Sequence, residues 1–325
     1  MRNKLIKHGT AVIGIAAFAF WAAACAATPV PMSEPEPVSA PRAEVIWAEG
    51  LTTVVTQITN DGLMKNRIAV SPDGTKLLYT EAVARDGRGN WIWNIMFLRN
   101  AASPAKTPLI TDFAYNPSWY EDSSRYLYIS YEGGAGRIMR SNVAGGGRTY
   151  ITHSSIGDSD DMPVIKNGLI VCSVWKSGRW QLVTVRENGA EPTFIGDGMS
   201  PSWHPSQNKI VFTRDGNIYE MTLDNFFQST QLYSDPQFAC YTPSYSPDGR
   251  RILFAKSAVG RTNAASQSNQ RHIYVMNADG ADVSPLSSGN ATVFSPSWGQ
   301  NGDIFCIVAG IGNVRGEIYR LRLRD

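Results

Sequence analysis

Beyond the first 45 residues, apolar positions come in short runs separated by Gly, Pro, Asn, Asp and Ser. Runs of that length with such boundaries predict β-strands. One set reads Leu77-Leu78-Tyr79, Tyr126-Leu127-Tyr128, Leu169-Ile170-Val171, Ile210-Val211-Phe212, Ile252-Leu253-Phe254 and Ile304-Phe305-Cys306. A second set follows each of these: Ile95-Met96-Phe97, Ile138-Met139-Arg140, Leu182-Val183-Thr184, Ile218-Tyr219-Glu220, Ile273-Tyr274-Val275 and Ile318-Tyr319-Arg320. A third precedes them: Arg67-Ile68-Ala69-Val70, Asn116-Pro117-Ser118-Trp119, Met162-Pro163-Val164-Ile165, Ser200-Pro201-Ser202-Trp203, Thr242-Pro243-Ser244-Tyr245 and Ser295-Pro296-Ser297-Trp298. The matched positions 68, 117, 163, 201, 243 and 296 are spaced by 49, 46, 38, 42 and 53 residues.

The turn between the first two strands of a unit has a physical reading. In Ser71-Pro72-Asp73-Gly74 and Ser246-Pro247-Asp248-Gly249, serine opens a type I turn, proline pre-sets the next φ, and glycine closes it. After the third strand a polar turn such as Asn277-Ala278-Asp279-Gly280 leads to a fourth, such as Pro108-Leu109-Ile110-Thr111. Four short strands per unit of this length is the period of a β-propeller blade. The expected fold is therefore all-β, a six-bladed β-propeller. The last unit stops at Ile318-Tyr319-Arg320-Leu321-Arg322 without a fourth strand. Val54-Val55-Thr56-Gln57-Ile58-Thr59, before the first unit, supplies it, so an N-terminal strand completes the last blade and removes two free edges.

The Pro-Ser-aromatic-Ser-Pro-Asp-Gly pattern, followed by an aliphatic-aromatic strand and an Ile-Tyr strand, resembles the propeller repeats of the TolB family over about residues 51–325. The resemblance implies an envelope protein that binds other proteins, with a peptidoglycan-associated lipoprotein or another envelope protein as partner. The family also carries an N-terminal α/β domain, whereas here a tether is expected to lead straight into the ring.

The N-terminal segment reads as export. Arg2, Lys4 and Lys7 precede the apolar stretch AVIGIAAFAFWAAA at 11–24, which is 14 residues and short of the roughly 20 needed to span a bilayer. Ala22-Ala23-Ala24-Cys25 resembles the lipobox of bacterial lipoproteins, with Ala22 where leucine is usual. The expectation is a signal peptide at 1–24, a lipid on Cys25, a Pro-rich tether through 45 and a propeller over 46–325. Each buried lipid methylene adds roughly 0.8 kcal/mol of membrane attachment. By resemblance to Gram-negative sorting rules, Ala26 after the cysteine implies the outer membrane, facing the periplasm. Ordinary cleavage nearby and an uncleaved anchor are the alternatives.

Composition changes the picture in one respect. Lys and Arg number 30 and Asp and Glu 28, and removing Arg2, Lys4 and Lys7 leaves 27 against 28, a balance of −1. A near-neutral chain has no electrostatic footprint for nucleic acid.

Propeller geometry puts the second-to-third loops and the connections between blades on one face, with the starts of the innermost strands. Loops of varied length on a rigid scaffold are where binding concentrates, and the segments expected there are 81–92, 131–136, 256–271, 308–316, 153–161 and 234–240. The channel mouth on that face is expected to be ringed by Asn66-Arg67, Tyr115-Asn116, Asp161-Met162, Met199-Ser200, Tyr241-Thr242 and Phe294-Ser295. The candidate binding residues are Asn66, Arg67, Arg88, Trp91, Tyr115, Asn116, Asp161, Met199, Tyr241 and Phe294. Aromatic, Met and Arg side chains suit an adaptable interface. The competing reading is that they plug the channel, and that Trp91 packs over a blade edge while Trp93 starts a strand.

Catalytic chemistry is scarce. Cys306 falls in a core slot, Cys172 lies on the opposite side of the ring, and no disulfide framework follows. His153, His204 and His272 fall in ordinary positions on separate units, which argues against a shared metal. No G-x-S-x-G elbow or phosphate loop occurs. Asp158, Asp160 and Asp161 are a candidate Ca²⁺ cluster without EF-hand spacing; otherwise no cofactor is expected. The resulting expectation is a monomeric, non-catalytic binding or scaffold lipoprotein that takes a protein partner. The alternative is a carbohydrate-binding or carbohydrate-active propeller, with Trp91, Tyr115 and Tyr241 as stacking platforms and Asp161 at the mouth.

Overall fold

The computed structural model describes residues 30–31 and 45–324, apart from 99–104, 112, 145, 225–227, 259–269, 301 and 311–314. Cys25 and the expected signal peptide lie outside the described residues. Every element described is a strand, and six small antiparallel sheets form the blades of a six-bladed propeller. The innermost strands are Lys65–Val70, Ala114–Trp119, Ser159–Lys166, Met199–Trp203, Phe238–Tyr245 and Thr292–Trp298. The second strands are Leu77–Arg85, Arg125–Ser130, Leu169–Lys176, Lys209–Arg214, Arg251–Ala258 and Asp303–Ala309. Blades are numbered one to six in that order.

The consecutive apolar positions of the second strands have a simple cause. Each blade is covered on both faces, so alternate side chains enter two different interfaces. Leu77 and Tyr79 pack with Phe305 and Ile307 between blades one and six, while Leu78 packs with Tyr126 and Tyr128 of blade two. Ile252 and Phe254 face blade four, and Leu253 and Ala255 face blade six. The remaining two interfaces join blades two and three and blades three and four. Cys306 is fully buried in the interface of blades five and six, and Cys172 in that of blades two and three.

The Pro-Ser-Trp segments fasten neighbouring blades. Trp119 donates its indole N–H to Ala69 O at 2.8 Å, Trp203 to Val164 O at 3.4 Å, and Trp298 to Ser244 O at 3.0 Å. Each bond runs from one innermost strand to that of the preceding blade. In blade five the matching residue is Tyr245, whose hydroxyl donates to Glu220 of blade four at 2.5 Å.

The ring closes as its ends predict. Thr52–Gln57 is the outer strand of blade six and pairs antiparallel with Gly316–Leu323, Gln57 opposite Tyr319 and Val55 opposite Leu321. Just before it, Val45–Trp47 pairs with Ser287–Gly289 on blade five. In the expected tether, Val30 and Pro31 pair with Arg85 and Ala84 of blade one.

The tight turns form as drawn from sequence. Ser71 Oγ donates to Asp73 Oδ1 at 2.6 Å and accepts from Lys76 N, while Gly74, at φ 72°, donates to Ser71 O. His204 takes the serine's place in blade four, its Nδ1 accepting from the Ser206 and Gln207 amides.

Two expected loops are instead strand. Segment 81–92 is mostly a hairpin of Leu77–Arg85 and Trp91–Leu98 around a short turn at 86–90, because Ala82, Ala84 and Ile92 are buried. Asp160 and Asp161 lie in the innermost strand of blade three, opposite Val174 and Ser173, and not in a loop.

Candidate functional site

The mouth of the channel is built from one backbone device used six times. Each innermost strand carries a β-bulge near its start, at Asn66/Ile68, Tyr115/Ser118, Asp161/Val164, Met199/Ser202, Tyr241/Ser244 and Phe294/Ser297. One residue in each bulge has left-handed backbone: Arg67 at φ 44°, Asn116 at 47°, Met162 at 47°, Ser200 at 55°, Thr242 at 49° and Ser295 at 51°. None is glycine, and such a conformation costs a side-chain-bearing residue about 1 kcal/mol. In five of the six the next residue is proline, which lacks the N–H that the interrupted ladder would need.

The bulges aim side chains at one another around the ring. Ser295 Oγ of blade six accepts from Ile68 N of blade one at 3.1 Å. Arg67 donates through Nε to Asn116 Oδ1 of blade two at 2.9 Å. Asn116 in turn donates through Nδ2 to Asp161 Oδ1 of blade three, which also accepts from Met162 N at 2.8 Å. Ser200 Oγ of blade four reaches Met162 Sδ at 3.1 Å. Among the described residues the contacts stop at blade five, where Thr242 Oγ1 is buried without a partner.

Arg67, Asn116 and Asp161 thus make a guanidinium–amide–carboxylate chain across three blades. Burial pushes the Asp161 carboxyl up, against the pull of Arg67 and the Asn116 hydrogen bond. Burial lowers Arg67, which Asp161 counters.

The expected site residues fall in three groups. Arg67, Asn116 and Asp161 are brought together in that chain. Tyr115, Tyr241 and Phe294 sit half-buried at the rim, each leaning on an inter-blade core, and Met199 is half-buried beside its bulge. Tyr115 meets Tyr131 edge-on at 5.1 Å and Trp93 at 6.0 Å. Asn66 is exposed, and its carbonyl accepts from Thr80 Oγ1 at 2.6 Å. Arg88 and Trp91 belong to the blade-one hairpin, Arg88 in its turn and Trp91 under the Arg85 guanidinium at 3.8 Å.

The three aspartates of the acidic cluster serve different neighbours. Asp160 accepts from Ile156 N at 2.7 Å and Thr152 Oγ1 at 3.2 Å, Asp161 from Asn116, and Asp158 from Ser177 N. Successive strand residues point to opposite faces, which separates Asp160 from Asp161. Among the described residues, no group of three or more His, Cys, Asp and Glu is placed to hold a metal.

No family model matches the chain. The Tol-Pal system protein TolB of Francisella tularensis is 26% identical over 209 residues, covering 62% of this chain and 46% of that protein. A solved TolB structure from Agrobacterium tumefaciens superposes with a TM-score of 0.57 at 16% identity, over 81% of this chain and 91% of that one. A solved oligogalacturonate lyase in complex with manganese gives 0.51 at 14% identity, over 87% and 98%.

The chain carries a TolB-like β-propeller. It spans about half the length of the curated TolB relative named above. The likeness to the lyase is one of fold.

The TolB-like ring also holds a charged cluster that the repeat pattern does not announce, where blade one meets blade six on the mouth face. Lys65 is buried and bonds to Asp61, to Glu317 at 3.3 Å and to Gly316 O at 3.2 Å. Lys106 reaches Asp61 at 2.8 Å and Glu81 at 2.7 Å. Glu317 also accepts from Thr59 Oγ1 at 2.5 Å and Gly62 N at 2.6 Å. Burial works to raise Asp61, and the Lys106 and Lys65 bonds overcome it, so Asp61 is held below the usual carboxylate range. Burial raises Glu81 despite Lys106. The sequence signal was faint: Lys65 and Glu81 are charges at the edge of apolar runs, and apart from Asp61, four residues before Lys65, their partners Glu317 and Lys106 are far away along the chain.

Proposed function

We propose that this TolB-like propeller is a non-catalytic binding protein of the bacterial envelope, and that it takes a protein partner at the channel mouth. The observation that carries the reading is the ring of six bulges. Left-handed conformation at six side-chain-bearing positions is sustained only where the surroundings demand it, and such positions gather at working sites. The bulges repeat in backbone and differ in side chain, as a scaffold presenting specific contacts requires. Tyr115, Tyr131 and Trp93 add an aromatic patch of the kind that anchors interfaces.

The likeness to a protein named for the Tol-Pal system supports an envelope partner, and a peptidoglycan-associated lipoprotein fits that description. The basic start, short apolar stretch and Ala-Ala-Ala-Cys ending support export, with a lipid on Cys25 holding a monomer at the outer membrane.

The test is crosslinking in intact cells, followed by recovery of the chain and mass spectrometry, beside a Tyr115→Ala, Tyr241→Ala double variant. The reading expects a discrete envelope protein that is lost in the double variant. Recovery of glycan fragments with no enriched protein would favour the carbohydrate reading. An identical protein profile from both forms would move the site away from the mouth.

A further inference from the structure

We propose that a notch between blades three and four, on the face opposite the channel mouth, is a binding site for a single sugar ring that carries a carboxylate. The proposal goes beyond the protein-partner reading, and either can fail without the other.

The notch arises where the repeat is broken. Blade three closes its first turn with two residues, Asn167 and Gly168, both with left-handed backbone at φ 50° and 74°. The matching turn of blade four runs over five residues, 204–208. The short turn beside the long one leaves a cavity of about 310 Å³. That is at the low end of the roughly 300–1,000 Å³ of small-molecule sites, which suits one ring with its substituents and not a folded partner. Lys166 ties the two turns together, its Nζ donating to His204 O at 2.7 Å and to Gln207 O at 2.9 Å.

The lining holds the three kinds of group such a ligand needs. Trp203 supplies an apolar wall for the C–H face of a sugar, and its indole N–H, donated to Val164 O at 3.4 Å, fixes the ring in place. Asn167, Gln207 and Asn208 supply side-chain amides, each both donor and acceptor, as neighbouring hydroxyls require. Among the described residues the Asn167 and Gln207 side chains make no hydrogen bond, and Asn208 spends one N–H on Asp224. Lys166 and Arg186 supply charge, and no Asp or Glu lines the cavity. Two of the three Lys166 protons go to the neutral carbonyls, and no carboxylate pairs with it among the described residues. Glu121 acts on Lys166 from further off, while its own carboxylate accepts from the Asn167 backbone N–H at 3.0 Å. Arg186 holds Glu191 through Nε at 3.3 Å, which leaves its terminal nitrogens. An incoming carboxylate can take the third Lys166 proton and those nitrogens in charge-assisted bonds. The ring hydroxyls then meet the amides.

The experiment uses the full chain labelled with ¹⁵N at tryptophan and follows the Trp203 indole N–H, assigned with Trp203→Phe. The chain is titrated with methyl β-glucuronide, with its neutral glucuronamide analogue and with succinate. The glucuronide is expected to shift the Trp203 resonance saturably. The glucuronamide is expected to bind about 10-fold or more weakly, the scale of a charge-assisted hydrogen bond. Succinate, which has the charge without the ring, is expected to be as weak. Arg186→Gln is expected to weaken the glucuronide about 10-fold. Arg186 is exposed, so this variant carries the test if Lys166→Met does not fold. The Tyr115→Ala, Tyr241→Ala double variant is expected to bind the glucuronide as wild type does. No saturable shift, equal affinity for the glucuronide and either of the other two, or an unchanged affinity in Arg186→Gln would overturn the proposal. So would loss of glucuronide binding in the double variant, which would move the sugar to the mouth. Capture of a protein partner at the mouth with no glucuronide response would overturn the notch and leave the channel-mouth reading standing.

Discussion

The walls between the blades and the mouth of the channel are made from the same strands, and they repeat in different ways. In the walls the character of the residue recurs. Tyr79, Phe212, Phe254 and Cys306 occupy one slot on four blades, and all are buried and apolar. At the mouth the backbone recurs and the residue does not. The left-handed position is Arg, Asn, Met, Ser, Thr and Ser in turn around the ring. Packing asks only for volume and apolarity, which many neighbours share. Recognition asks for particular groups at particular points, and the six blades supply five different residue types there. The scaffold is the repeating part of the molecule, and its specificity resides in what departs from the repeat.

Variants in wall and mouth separate the two roles. The largest expected effect is in the wall. Phe305→Ala removes a ring that is 1% exposed at the interface of blades six and one. The loss should be about 3–5 kcal/mol in urea unfolding. A loss under 1 kcal/mol would mean that this interface is not closely packed.

Next is the closing seam, where the wall borrows the polar character of the mouth. Lys65→Met leaves Asp61 and Glu317 without their shared cation. Both acids keep some contact with water, so the expected cost is about 2 kcal/mol, below the range for a fully buried pair. Added salt should change this cost little, since Lys65 is buried.

Asp160 gives a pH signature of similar size. Burial pushes its carboxyl up to about 6, despite hydrogen bonds from Ile156 and Thr152. The folded state then holds this proton more firmly than the unfolded one. The group's contribution is full below the unfolded value near 4 and is lost as pH rises through about 6. Wild type should therefore lose on the order of 2 kcal/mol relative to Asp160→Asn between pH 4 and 7. Parallel thermal melts across that range check it, and a constant difference between the two proteins would contradict it.

The smallest effect is Trp298→Phe. It deletes one inter-blade hydrogen bond to Ser244 and keeps most of the ring, costing about 1 kcal/mol by thermal melts.

What could be read from the sequence follows the same division. The Pro-Ser-Trp segments, the Ser-Pro-Asp-Gly turns and the closing strand, read at 54–59 and found at 52–57, were legible, because each is local or recurs. The positions around the mouth were legible as well, since they sit at a constant offset from the recurring proline. Segment 81–92 of the Leu77–Leu98 hairpin was read as a loop because small alanines at 82 and 84 give weak strand signals, though both are buried when folded. The seam of Asp61, Lys65, Glu81, Lys106 and Glu317 was not legible. It draws on four separate stretches of chain, and charge alone carries no address for a partner.

The most direct test of the account compares the two faces of the ring. A photo-crosslinking amino acid would be placed at Met199, beside a bulge at the mouth, and separately at Gln207 on the opposite face. Gln207 lines a cavity of about 310 Å³ together with Lys166, Arg186 and Trp203, so it is the fair rival. After irradiation of intact cells, the account predicts a discrete adduct with an envelope protein from position 199 and none from position 207. An adduct from position 207 with none from position 199 would contradict it.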